Sequence, residues 1–167
     1  MFRKGDAIEF ESFKIIDNMV ELSCFDEDEK KIVKRAIHAT GDLELYLHFR
    51  FLKGWKEVTK RLFSEKAVVI TDVKMVKVGI SSRCPEAVCM VDDPEMIAIA
   101  KEKNITRSEA GIEKAYNKYD KMIIIIGNAP TALLKLIEVY KNNPKDIFVI
   151  GIPVGFVSAP ESKEMLA

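Results

Sequence analysis

Four consecutive isoleucines, Ile123 to Ile126, run directly into Gly-Asn-Ala-Pro-Thr and then into an amphipathic stretch that reaches Tyr140. An unbroken β-branched run has no polar face to offer water, so it predicts a strand buried on both sides, as in a parallel sheet covered by helices. Gly127 lets the chain turn or be approached closely, and Pro130 suits the first helical turn, where its missing N–H costs nothing. One stretch therefore predicts a strand, a tight polar turn and a helix.

The same rhythm recurs along the chain. Helical spacing of apolar residues predicts helices over 7–19 and 27–40, the second opened by an Asp26/Glu29 capping box. Leu43, Leu45, Leu47, Phe49 and Phe51 alternate with other residues, which predicts a half-buried strand over 43–51. An amphipathic segment over 54–66 is followed by a strand over 67–71, a helix over 72–80 and a strand over 87–91. Asp93 as cap with Pro94 at the first position predicts a helix over 93–104, and Thr106 opens another over 106–119. Strands over 122–127 and 147–153 flank a helix over 130–143. Short β-branched strands alternating with helices predict an α/β fold, a three-layer α/β/α arrangement of flavodoxin type around a mainly parallel central sheet. No repeat, low-complexity segment or linker interrupts the chain, so residues 1–167 read as a single domain.

With 167 residues, 48% of them apolar, the chain has material for an ordinary core. Its 26 basic residues equal its 26 acidic ones, so there is no global field to attract nucleic acid or an anionic membrane, and an anionic ligand needs a local site. No secretory h-region and no run of roughly 18 apolar residues is present, which predicts a soluble, cytoplasmic protein without a membrane partner. Cys24, Cys84 and Cys89 are an odd set, expected to be reduced, and neither they nor the two histidines have the spacing of a metal site.

In an open parallel sheet, ligands bind beyond the carboxyl ends of the strands. Two turns fall there: Gly127 to Thr131, and the segment from Gly151 to Lys163. A helix start offers free N–H groups and a positive dipole end, which suit a carboxylate or phosphate; the same residues equally suit a well-capped helix, with Asn128 as the cap. Neither turn is a phosphate-binding loop or a dinucleotide fingerprint, so a generic nucleotide- or flavin-binding module gains no specific support. His38 follows apolar Ile37 near a helix end and is close in sequence to Arg35; histidine is the side chain whose ordinary pKa allows proton donation and acceptance near neutrality. His48 sits among aromatics and reads as a packed or surface residue. Arg107, at a helix start, can grip a carboxylate with its fork. Asp92 and Asp93 read as turn and cap.

Six segments in order, GDAIEFESFKII, VKRAIHATGD, TDVKMVKVGI, NITRSEAGI, IIGNAPTALLKLIEV and IGIPVGFVSAPESKEML, resemble the precorrin-8X methylmutase family of cobalamin biosynthesis, which includes the cobalt-precorrin-8 methylmutases. The resemblance implies a cofactor-free isomerase that moves a methyl group from carbon 11 to carbon 12 of a corrinoid, giving hydrogenobyrinate or cobyrinate. It implies His38 as proton donor and acceptor and no metal. It implies substrate contacts at Ser12, Arg35 and Arg107, and a cradle for the polycarboxylate tetrapyrrole's arms at Gly127, Asn128, Ala129 and Thr131 and at Val154, Gly155, Phe156 and Ser162. It also implies a homodimer. The family continues past its Glu-Ser-Lys segment into a further strand and a glycine-rich turn, whereas this sequence ends at Ala167; a non-catalytic tetrapyrrole-binding relative is the alternative reading.

Overall fold

The isoleucine run is the middle strand of the sheet. In the computed structural model, which describes residues 4–167, β1 (Val68–Thr71), β2 (Lys121–Ile126) and β3 (Asp146–Gly151) lie in that order, and both pairings are parallel. Ile124 stands opposite Ile70 on one side and Val149 on the other. The pleat sends Met122, Ile124 and Ile126 into a cluster with Ile112 and Tyr116 of α6 (Arg107–Lys118) and Leu133 and Leu136 of α7 (Pro130–Asn142). Ile123, offset by one residue, is buried as well, and α3 (Trp55–Ser64) packs against β2 and β3 and buries Leu62. The predicted α/β architecture, a parallel sheet flanked by helices, is therefore the one that forms.

The chain divides into two units, residues 1–53 and 54–167. The sheet belongs to the second, together with α4 (Lys74–Ile80), α5 (Pro94–Lys103) and α8 (Ala159–Leu166). Its helix starts follow the sequence signals. The Asp93 carboxylate accepts from the Glu95 N–H at 3.0 Å, and the Thr106 hydroxyl accepts from the Glu109 N–H at 3.1 Å. At the amino ends of the strands, the Arg61 fork donates to both oxygens of Asp146 at 2.6 and 2.7 Å and holds that carboxyl below its usual range. At the far end of α6, the Lys145 ammonium donates to the carbonyls of Tyr116 and Tyr119, each at 2.8 Å, satisfying acceptors that have no partner inside the helix.

The first unit holds α1 (Lys4–Met19) and α2 (Glu27–Thr40), whose apolar stripes meet at Ile16, Val33 and Ile37, with Leu22 of the connection buried among them. The capping box forms as predicted. Asp26 accepts from the N–H groups of Asp28 and Glu29, and Glu29 accepts from the N–H of Asp26, a device worth about 1 kcal/mol of helix stability. Gly41 ends the helix at φ 71°, a left-handed conformation that residues with a Cβ adopt at a cost.

Two predicted strands need correcting. Residues 43–51 form no strand; Leu43–His48 is a 3₁₀ helix, capped by the Asp42 carboxylate accepting from the Glu44 N–H at 2.9 Å. The same residues that alternate also place Leu43, Tyr46 and Phe49 three apart, the period of that helix, and all three pack on the α1–α2 cluster while Leu47 stays exposed. The strand over 87–91 shrinks to a single parallel bridge between Val88 and Ile70. Val88 exchanges two hydrogen bonds with the outer edge of β1, and the chain then turns away through Asp93 N–H to Met90 carbonyl at 3.0 Å. The sequence reading also passed over α8, which opens with Pro160 in its first turn.

Candidate functional site

The turn after β2 holds a carboxylate, and that carboxylate is the protein's own. Asp72 follows directly on β1, at the carboxyl end of the sheet, and is 2% exposed. Its backbone N–H donates to the Ile125 carbonyl at 3.2 Å, which carries the β1–β2 ladder one step further. Its side chain accepts three backbone N–H bonds, from Gly127 at 3.2 Å, Asn128 at 2.9 Å and Ala129 at 2.7 Å. These bonds and the positive end of α7 offset the cost of burying the charge. Asn128 is therefore not the cap of α7. Ala129 occupies the cap position without a side-chain bond, and Asp72 satisfies the donors from outside the helix. Gly127 is needed for approach, since a Cβ there would lie 2.6 Å from a Val76 methyl of α4.

Around the outer side of this turn is a cavity of 540 Å3, lined in part by Thr106, Arg107, Asn128, Ala129, Thr131 and Val154. Two helix starts meet there: the hydroxyls of Thr106 and Thr131 hydrogen-bond at 2.8 Å. The two turns singled out in the sequence are also joined, because the Val154 N–H donates to the Asn128 carbonyl at 3.2 Å and the Ile152 N–H to the Ile126 carbonyl at 2.8 Å. Arg107 supplies the cavity's cation. Its side chain is 54% exposed, and Nη1 donates to Asp92 Oδ1 at 3.2 Å. Asp92 also pairs with Lys74, and the hydrogen-bonded Lys74 ammonium, with Arg107 beyond it, holds the Asp92 carboxyl below its usual range. Asp92 is thus the counterion of this cation, a role that its place before the Asp93 cap did not suggest.

In the first unit, His38 lies exposed in the last turn of α2, next to buried Ile37. Its Nδ1 and the Ser12 hydroxyl of α1 are 2.7 Å apart, in hydrogen-bond contact. The Phe13 ring meets the imidazole edge-to-face with centroids 6.0 Å apart. Arg35, one turn earlier, pairs with Glu9 at 3.0 Å. Ser12, Arg35 and His38 are thus gathered on two packed helices. His48 is exposed at the end of the 3₁₀ helix.

The remaining expected residues fall in different places. Gly155 adopts φ 120° and Phe156 is fully exposed in the loop before α8, an apolar ring with no side-chain cluster around it. Ser162 is 0% exposed, and its hydroxyl donates to the Ala159 carbonyl at 3.0 Å. Its hydroxyl therefore packs inside the turn of α8. Asp72 was overlooked, although its position directly after the apolar run VVIT, where strands of such sheets point toward a ligand crevice, is a signal visible in the sequence. Among the described residues, no helix is long and apolar enough to cross a membrane.

Comparison with known proteins places these features in context. Residues 7–167 match the family described as precorrin-8X methylmutase. A precorrin-8X methylmutase from Sinorhizobium is 36% identical over 170 residues, covering 99% of this chain and 81% of the relative. A cobalt-precorrin-8 methylmutase from Methanocaldococcus jannaschii is 38% identical over 171 residues, covering 98% and 80%. Among solved structures, a precorrin-8X methylmutase related protein superposes with a TM-score of 0.82 at 37% identity, covering 93% of this chain and 84% of that one. The precorrin-8X methylmutase of Thermus thermophilus gives 0.81 at 34% identity, covering 96% and 81%.

Proposed function

This chain belongs to the precorrin-8X methylmutase family, and from that premise we propose how its own residues carry the isomerisation of a precorrin-8 macrocycle. The enzyme is an isomerase that moves a methyl group on the corrin ring. In our reading the methyl leaves carbon 11 for carbon 12, and His38 delivers a proton to the conjugated macrocycle as it does so. Protonation draws electron density from the ring, and the migration then relaxes into the product chromophore. Because product and substrate are isomers, the proton given must be recovered, and in this reading His38 serves as acid and then as base.

The observation that supports His38 is its hydrogen bond with Ser12. A hydroxyl can donate or accept. With the ring protonated on both nitrogens, Nδ1–H donates to the Ser12 hydroxyl and Nε2–H is the proton to be delivered; once it is delivered, the neutral ring keeps Nδ1–H on Ser12 and Nε2 is the lone pair that takes the proton back. Ser12 thus holds the imidazole in place through both halves of the cycle. Arg107, with the Thr106 and Thr131 hydroxyls and Asn128 beside it, suits a carboxylate arm of the substrate, and in the first unit Arg35 carries a fork of the same chemistry. Phe156 and Val154 are apolar surfaces suited to the face of the macrocycle. Ser162, being buried, is left out of this set.

The test is incubation of the purified chain with metal-free precorrin-8X and, separately, with cobalt-precorrin-8, following the visible spectrum. At least one is expected to convert to its corrin product, and the faster one reveals the metal preference. No spectral change with either would overturn the proposal. We also propose a homodimer, supported by the exposed apolar side chains Ile8, Phe10 and Ile15 on α1. Light scattering is expected to give twice the 18.9 kDa chain mass; a mass of one chain at micromolar concentration would refute it.

A further inference from the structure

We propose that Asp72 is the positioning residue for substrate in this enzyme: it is the fixed anion that sets the β2–α7 turn, and so directs a substrate carboxylate away from the start of α7 and onto Arg107. The inference rests on the reading of the cavity given above. Two places at this cavity can attract a carboxylate. One is the amide cluster of Gly127, Asn128 and Ala129 at the positive end of α7; the other is the guanidinium of Arg107. The first is filled, because all three amides point to Asp72 at 2.7 to 3.2 Å and Asp72 is shut away from solvent. A second carboxylate brought to those amides would meet the charge of the first at short range, where repulsion is little screened. Arg107 is different, since its counterion Asp92 is partly exposed and shared with Lys74. A substrate arm can displace that contact and leave Asp92 paired with Lys74.

The same three bonds set geometry. Asn128, Ala129 and Thr131 line the cavity, and two of these residues are held by Asp72 through their backbone N–H groups. The Asn128 carbonyl, on the other side of the same residue, receives the Val154 N–H. Asp72 therefore fixes one turn directly and the neighbouring loop through it. Without it, three buried donors lose their acceptor, and the turn must move to find water.

Asp72→Asn is the informative variant, because it keeps the shape while its amide presents an N–H to the donors that the carboxylate oxygen now receives. Steady-state conversion of the precorrin-8 substrate is measured for the wild type, for Asp72→Asn and for Ile124→Val. The last is a mild core change in β2 that lowers stability without touching the turn. Melting temperatures are recorded for all three. Asp72→Asn is expected to be folded at the assay temperature, with KM raised about tenfold or more and kcat reduced by less than about threefold. Ile124→Val is expected to melt earlier with the wild-type KM. A wild-type KM in folded Asp72→Asn, or a rise in KM that Ile124→Val reproduces at equal loss of melting temperature, would overturn the positioning role. A wild type that converts neither substrate would instead overturn the functional reading, and with it the role assigned to Asp72.

Discussion

Replacing His38 with alanine is expected to cut turnover by roughly 10²- to 10⁴-fold, the usual contribution of a positioned acid or base, while leaving affinity for the corrinoid close to that of the wild type. The separation follows from what the imidazole does. In the proposed role it handles one proton during the rearrangement, while the substrate's carboxylate arms are assigned to arginine forks. Its removal should also leave the fold intact, since the ring is exposed and the apolar anchor of this helix turn is Ile37. The check is single-turnover conversion alongside an absorbance titration with product. Undiminished conversion by a folded His38→Ala variant would falsify the assignment. Loss of binding in parallel with loss of rate would make the residue a substrate anchor rather than a proton carrier. Ser12→Ala in the same assay should give a smaller loss, because the ring remains but its orientation is no longer held.

The second large effect is expected at Arg107. On the proposed role, its replacement by alanine removes a charge-assisted, two-pronged hydrogen bond to a substrate carboxylate, which costs about 1.5–3 kcal/mol, or roughly one to two powers of ten in affinity. KM should rise by that factor, with a smaller change in kcat, and the dependence of KM on salt should flatten. Lysine at this position should recover only part of the loss, as it restores the charge but not the planar fork. The free protein already ties Arg107 to Asp92, so the measured loss is the difference between two partners and not the whole worth of one contact. A variant with unchanged KM would show that the substrate's arms are held elsewhere. Stability should be little affected, because the Arg107–Asp92 pair is largely exposed.

Much of the framework is legible in the sequence because it is local. Asp26 and Glu29 are three residues apart and answer each other across one turn of helix; Pro94 and Pro130 stand at helix starts where their ring is tolerated; and the short, β-branched isoleucine run, bounded by Gly127, favours a strand covered on both sides. The misreadings have physical causes of equal clarity. In residues 43–51 the apolar residues satisfy a period of two and a period of three at once. No partner strand competes for them, so packing on α1 and α2 decides the outcome in favour of the tighter helix. At Val88 the strand has a partner only long enough for one bridge before the chain must turn toward the Asp93 cap.

The candidate site divides in the same way. His38, Arg107, Asn128 and Thr131 can be picked out as residue types suited to protons or carboxylates, and the structure brings the last three to one cavity. The partner relations cannot be picked out. Nothing near Asp92 in sequence announces Lys74 and Arg107 as its counterions, and nothing near Gly127 announces Asp72.

That last relation also bears on how the protein acquires its shape. Asp72 and Gly127 are 55 residues apart, and the parallel pairing of β1 with β2 requires all the chain between them to be looped out before any ladder bond can form. Helices α5 and α6, which lie within that loop and contact each other, can form from neighbouring residues in advance. The Asp72 carboxylate reaches the amides of Gly127 to Ala129 only once β1 and β2 are in register. During refolding, those amides should be among the last to become protected from hydrogen exchange, so the chain completes its own architecture and readies itself for substrate in a single late step.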